Sequence, residues 1–178
     1  MLVRAHALPR MTAAPVEASR VIVGVGQLAV AAEPGAVLSA FSLGSCLAVA
    51  VYDPLIRVGG LLHLMLPESS LSPTRASTAP ATFVDTGVPA LFHALYALGA
   101  EKYRTLIYVV GGAQIIDDAG VFNIGRRNYD ALTALLQKHN LRIRGEHVGG
   151  GLNRSVALHI ATGRVLVRTT GHAGEIAL

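Results

Sequence analysis

At 178 residues, with 52% hydrophobic and 15% charged side chains, the chain is long enough for one domain with a sizeable core and cramped for two. No apolar run reaches the ~18–20 residues of a membrane span. One cysteine excludes an internal disulfide, and the start lacks a charged segment leading into an unbroken apolar core, so a reducing cytoplasm is the expected setting. The net charge of +4 comes from 15 scattered Lys and Arg residues. Their densest group, Arg142, Arg144 and Arg154, is interleaved with strand-forming residues and has no aromatic neighbours for base stacking. Nucleic acid is therefore not expected, whereas an acidic protein partner is compatible with the charge.

Residues 1–20 hold two prolines, three arginines and one acid without periodicity, and read as a flexible tail ahead of a domain over 21–178. Residues 21–32 are strand-like. Within them Gly24-Val25-Gly26-Gln27-Leu28-Ala29 matches the GxGxxA dinucleotide fingerprint, but that motif needs a helix opening at its last glycines and Pro34-Gly35 ends the segment. The glycines read instead as part of a strand or bulge, and no cofactor is expected. A short strand follows at 37–41.

Residues 46–53 and 58–66 are two apolar runs around Pro54-Leu55-Ile56-Arg57, a hairpin in which Cys46 and His63 fall opposite each other or on a diagonal. A slip of one residue would send His63 to the other face, and Gly59-Gly60 is a place for a bulge that sets the register. Residues 66–82, rich in Ser, Thr, Pro and Ala, read as a long loop. Asp85-Thr86 offers an N-cap, and Val88, Leu91, Phe92, Leu95 and Leu98 repeat at helical spacing up to Gly99, with His93 off that stripe. A buried strand at 105–110 leads through Gly111-Gly112-Ala113 and a loop to a second helix over 126–139. Leu132, Leu135 and Leu136 form its inner side and Asn140 its C-terminal cap. Strands are expected at 141–148, 155–161 and 164–169, with Gly149-Gly150-Gly151 a tight connection rather than a phosphate cradle. Two helices among about seven strands make a single layered α/β domain with a mixed or antiparallel sheet.

Cys46 next to His63 is the pattern of a thiol nucleophile and its base, with the backbone N–H groups of Gly44 and Ser45 placed to receive an oxyanion. The same residues also fit a small buried thiol and a packed histidine. His63, His93, His139, His147, His159 and His172 show no paired ligand spacing, and no metal is expected.

Leu43-Gly44-Ser45-Cys46, Tyr52-Asp53-Pro54, Gly59-Gly60 and His63-Leu64-Met65-Leu66-Pro67 resemble the chemoreceptor glutamine deamidases of the CheD family. The resemblance continues through Asp85-Thr86, Gly111-Gly112-Ala113, Asn123-Ile124-Gly125, Arg127-Asn128 and Gly149-Gly150, and covers about residues 22–170. It implies hydrolysis of selected glutamines on methyl-accepting chemotaxis receptors to glutamate with release of ammonia, Cys46 as nucleophile and His63 as base. It also implies a CheC-type phosphatase as partner and a layered fold similar to the catalytic domain of cytotoxic necrotizing factor toxins. The family sets a Thr or Ser a few residues before the cysteine to orient the histidine. Six residues before Cys46 stands Ala40, which leaves Ser39, Ser42 or a backbone carbonyl for that role. Arg154 keeps the arginine of the family's late GGxxGR pattern, with Asn153 in place of its glycine. A non-catalytic module regulating a CheC-type phosphatase and a structural domain with an inert thiol are the competing readings.

Overall fold

A computed structural model describes residues 19–114 and 123–178. In chain order it contains β1 (Ser19–Ile22), β2 (Gln27–Ala31), β3 (Ala36–Leu43), β4 (Leu47–Asp53) and β5 (Val58–Leu64). Next come α1 (Pro73–Thr78), α2 (Val84–Ala97), β6 (Leu106–Gly111), α3 (Ile124–Lys138), β7 (Ile143–Val148), β8 (Arg154–His159), β9 (Val165–Thr169) and β10 (Ile176–Ala177). The strands form two five-stranded sheets, ordered β1-β3-β8-β9-β10 and β2-β5-β4-β6-β7. Each is mixed: β1 runs parallel to β3 and β6 parallel to β7, and the other pairs are antiparallel.

Two apolar layers follow from the alternation along β4, every residue of which is buried. Ala48, Ala50 and Tyr52 face the first sheet and meet Leu38, Ala40, Val156, Leu158 and Val167. Leu47, Val49 and Val51 face the other way, onto Leu91 and Leu95 of α2 and Leu132 and Leu136 of α3. The result is sheet on sheet on helices, an α/β architecture with two mixed sheets where the hydrophobic pattern predicts one. Strands buried on both faces read as unbroken apolar runs, so nothing in their sequence separates one sheet from two.

Pairing of β4 with β5 runs from Leu47 opposite Leu64 to Asp53 opposite Val58 without a shift. Gly59 and Gly60 therefore carry no bulge there. Their lack of a side chain serves packing: a Cβ on Gly59 would stand 2.7 Å from Ile160 Cδ1, and one on Gly60 2.7 Å from Leu91 Cδ1.

Several boundaries differ from expectation. β1 begins at Ser19, inside the segment read as tail, and the rest of that segment lies outside the described residues. Within residues 24–29, Val25 and Gly26 form a turn and Gln27 opens β2, so no helix opens there. The segment read as a long loop contains α1, one and a half turns opened by Pro73. α2 starts at Val84, directly after the fully buried Phe83. Asp85 and Thr86 do not cap it. The Asp85 carboxylate accepts from the Ser69 N–H at 2.9 Å and the Ser69 hydroxyl at 2.7 Å, and the Thr86 hydroxyl donates to the Pro80 carbonyl at 2.6 Å. Burial of Phe83 and these loop bonds outweigh a cap's local gain. α3 begins two residues earlier than its periodicity predicts, and Asn140 beyond its end takes a left-handed φ of 53°, as the helix stop requires. The connection between Ala113 and Asn123 lies mostly outside the described residues.

Candidate active site

The register fixes how the thiol and the imidazole stand to each other. His63 is directly opposite Ala48, and Cys46 lies two residues before Ala48, just ahead of β4. Cys46 is thus the diagonal neighbour of His63 on the face that looks into the layer between the sheets, a separation of roughly 7–8 Å between backbone positions. Of the two sequence possibilities, opposed or diagonal, the structure has the diagonal. Cys46 is half-buried and His63 is only 2% exposed. No hydrogen bond joins thiol and imidazole. Catalytic hydrogen bonds commonly close only when substrate is present.

Nδ1 of His63 lies 3.2 Å from the carbonyl oxygen of Val23, and Nε2 is buried without a partner. A carbonyl only accepts, so the hydrogen sits on Nδ1 and the Nε2 lone pair is free to take a proton. Val23 is held by its own N–H, which donates to the Ser39 carbonyl at 2.8 Å. The turn that follows is held by the Gly26 N–H, which donates to the His63 carbonyl at 2.8 Å. The glycine-rich stretch that mimics a nucleotide fingerprint therefore wraps the histidine.

Ser39 is buried in β3 and its hydroxyl has no hydrogen-bond partner. Ser42 is exposed with a left-handed φ of 57°. Among the described residues neither hydroxyl bonds to His63. Ala40 is fully buried and presents a methyl group to the layer between the sheets. The group on Nδ1 is thus a backbone carbonyl, and it belongs to Val23, a residue whose side chain gives no hint of the role.

Burial pushes the Cys46 thiol above its ordinary pKa, partly offset by its own backbone N–H. Burial also pulls the His63 imidazole below its ordinary value, partly offset by the Val23 carbonyl. Both groups are consequently neutral at pH 7, a thiol and imidazole rather than a standing thiolate–imidazolium pair.

The loop before Cys46 is held at several points. The Gly112 N–H donates to the Cys46 carbonyl at 2.8 Å and the Ala113 N–H to the Gly44 carbonyl at 2.7 Å. The Gly44 N–H is engaged with the Ser42 carbonyl at 3.0 Å, whereas those of Ser45 and Cys46 make no bond to another backbone group among the described residues, the Cys46 N–H facing its own thiol. Asn128 of α3 donates from Nδ2 to the carbonyls of Ser45, at 3.1 Å, and Met65, at 2.9 Å. Its position in an otherwise apolar stripe of Gly125, Leu132 and Leu136 is the sequence signal, a polar residue where the period demands a core residue.

Arg154, 5% exposed, donates to His147 Nδ1 at 2.6 Å and to the carbonyls of Leu152 and Gly149 at 3.0 and 2.7 Å. It braces the glycine connection that follows β7. Among the described residues no group of three or more His, Cys, Asp or Glu side chains could hold a metal, and no helix is long and apolar enough to cross a membrane.

Residues 65–169 match the family model described as CheD chemotactic sensory transduction. A protein of Syntrophus aciditrophicus named probable chemoreceptor glutamine deamidase CheD 1 is 47% identical over 151 residues, covering 85% of this chain and 94% of that one. One of Anaeromyxobacter dehalogenans named probable chemoreceptor glutamine deamidase CheD 2 is also 47% identical, covering 85% and 95%. The chemoreceptor glutamine deamidase CheD of Thermotoga maritima is 35% identical over 155 residues, covering 87% and 95%. With more than half of its length matched by the family model and these identities sustained over nearly whole chains, this chain belongs to the CheD family.

Proposed function

We propose that the chain is a cytoplasmic protein-glutamine deamidase that hydrolyses glutamine side chains on the cytoplasmic parts of chemoreceptors to glutamate, releasing ammonia. The observation that carries this reading is the placement of Cys46 and His63 on one face of the β4–β5 hairpin with the His63 Nε2 lone pair unengaged. The names of the relatives supply the substrate class.

The thiol of Cys46 passes its proton to Nε2 of His63 as sulfur attacks the glutamine amide carbon. The carbonyl oxygen becomes an oxyanion, received by the N–H groups of Ser45 and Cys46, which bond to no other backbone group among the described residues. The imidazolium returns the proton to the amide nitrogen, the C–N bond breaks, and ammonia leaves a thioester on Cys46. His63 then takes a proton from water as its oxygen attacks the thioester, and collapse releases glutamate and restores the thiol. The Val23 carbonyl holds the ring and stabilises the imidazolium in both halves.

The test is incubation of the protein with a receptor cytoplasmic fragment, following ammonia and the mass change of amide to acid at each glutamine. Cys46→Ala abolishes both if the reading is right, and unchanged turnover overturns it. The methyl of Ala40 at the family's orienting position favours a second reading, a non-catalytic module that binds a CheC-type phosphatase. Binding of such a phosphatase without deamidation of any receptor segment by the wild type would establish that one.

A further inference from the structure

Asn128 is fully buried, yet it is the one polar side chain on the inner stripe of α3. Its two Nδ2 hydrogens go to two carbonyls, Ser45 at 3.1 Å and Met65 at 2.9 Å, while its Oδ1 is buried without a partner. An orphaned buried acceptor costs about 1–3 kcal/mol, a cost that an apolar side chain of the same size avoids. The two donated bonds are therefore what this amide contributes. Both bridge the ends of the hairpin that carries the site. Ser45 precedes Cys46 in the chain, and Met65 lies two residues beyond His63.

The Ser45 carbonyl shares its peptide plane with the Cys46 N–H. In a trans peptide those two groups point in opposite directions, so a bond that fixes the carbonyl fixes the N–H as well. α3 lies on the helical side of the second sheet. A carbonyl drawn toward Asn128 aims the Cys46 N–H away from α3, to the side on which Cys46 and His63 look into the layer between the sheets. The seat of Asn128 is itself fixed, because Gly125, one turn earlier, rests against the Gly112 and Ala113 carbonyls, which a Cβ would meet at 2.5 and 2.8 Å.

We infer that Asn128 is a positioning residue that orients the Ser45–Cys46 peptide so that the Cys46 N–H serves as an oxyanion donor. This rests on the deamidase reading for its kinetic consequence, though the geometry of the peptide does not depend on it. Asn128 touches neither substrate nor the reacting atoms. Its effect is on the height of the barrier rather than on binding, since the oxyanion exists only after attack.

Asn128→Leu keeps the approximate size of the side chain and removes both donated bonds, and Asn128→Ala removes them together with most of the side chain. Each is compared with wild type for kcat and KM on a receptor fragment, for the rate and pH dependence of Cys46 alkylation by iodoacetamide, and for the amide resonance of Cys46 in a 1H–15N spectrum. The expected result is a kcat lower by at least about tenfold with KM changed less than about twofold, below the full loss of an oxyanion donor. Alkylation, which forms no oxyanion, keeps its rate and pH profile, and the Cys46 amide resonance moves. A folded variant with unchanged kcat overturns the inference, as does a kcat loss matched by an equal loss of alkylation, which would mark general damage to the site. An unmoved Cys46 amide overturns it whether or not the wild type deamidates, whereas a wild type that releases no ammonia overturns the deamidase reading alone. If neither variant folds, the amide is a structural clamp and the inference fails.

Discussion

The carbonyl oxygen of Val23 stands 3.2 Å from Nδ1 of His63, and Val23 is in turn tied by its N–H to the carbonyl of Ser39. Among the described residues the histidine is thereby held by main chain alone, while Ala40, six residues before Cys46, offers only a methyl group. A backbone carbonyl needs no rotamer to be ordered before it accepts, so a hydroxyl added at residue 40 finds Nδ1 already engaged. Ala40→Ser is expected to change kcat on a receptor fragment by less than about threefold, within the net worth of one neutral hydrogen bond. A gain of tenfold or more would show that the Val23 carbonyl does not do this work.

The protonation states give a second expectation. Burial holds the His63 pKa below its ordinary value, so the imidazole is neutral, and able to act as base, down to a pH below about 6.5. The acid limb of kcat/KM therefore falls below that pH. The Cys46 pKa is raised, so its alkylation by iodoacetamide continues to accelerate past pH about 8.5, where an ordinary thiol levels off. The sign for stability agrees with the acid limb: the neutral His63 contributes fully above the unfolded value of about 6.5 and the contribution is lost as pH falls through the lowered folded value. An acid limb above pH 7, or alkylation that levels off near neutrality, would contradict a neutral pair and require a standing ion pair.

The legible and illegible parts of this chain divide along physical lines. The hairpin of Cys46 and His63 was readable because its apolar runs flank a four-residue turn, and turn length limits register to one or two choices. Which choice holds depends on β6 pairing along the other edge of β4, from Leu47 opposite Gly111 to Tyr52 opposite Leu106, a long-range fact. The periodic helices were readable for the same reason as the hairpin, whereas Asp85 and Thr86 misled because a cap and a loop anchor use identical side chains. Val23 was illegible as a partner of His63, since every residue carries a carbonyl. Asn128 was visible in principle, as a polar residue interrupting the stripe of Gly125, Leu132 and Leu136, but its two partners come from loops 63 and 83 residues away in sequence.

At the far end of the hairpin, Asp53 is fully buried and Arg104 meets it at 2.8 Å through its guanidinium. The carboxylate also accepts from the N–H groups of Leu55 and Glu101, both at 3.1 Å, so it ties the β4–β5 turn to the segment before β6. Burial alone would raise the Asp53 pKa, but Arg104 and the two N–H groups outweigh it and hold the carboxyl below its usual range. Its contribution is present above the unfolded value of about 3.9 and is lost as pH falls through the lowered folded value. Arg104→Met removes the charge partner and leaves a buried carboxylate uncompensated, with an expected loss of about 3 kcal/mol in denaturant unfolding at pH 7. The variant that remains folded keeps its alkylation rate at Cys46, because the pair sits at the opposite end of β4. A loss under about 1 kcal/mol would mean that the N–H groups alone sustain the charge.

Gly111 closes β6 directly beside the loop that carries Cys46. Its φ is +115°, a region that side chains rarely enter, and a Cβ there would collide with the carbonyl oxygen of Cys46. That carbonyl already accepts the Gly112 N–H at 2.8 Å, and the Gly111 carbonyl accepts the Gly149 N–H at 2.9 Å, so the backbone has bonds on both sides that resist a shift. Gly111→Ala forces either the strand end or the Cys46 peptide to move, and the strand end is bound into the sheet. The peptide therefore yields, which couples a stability cost of about 1–3 kcal/mol to a displaced thiol. Gly99, also at positive φ with a value of +88°, has nothing nearer than 3.8 Å to an added Cβ. Gly99→Ala is the matched control, carrying backbone strain without the collision. The expected outcome is that both variants lower the unfolding midpoint while only Gly111→Ala slows Cys46 alkylation and deamidation, each by at least about tenfold. Equal alkylation rates in the two variants would show that the loop absorbs the added methyl without moving Cys46.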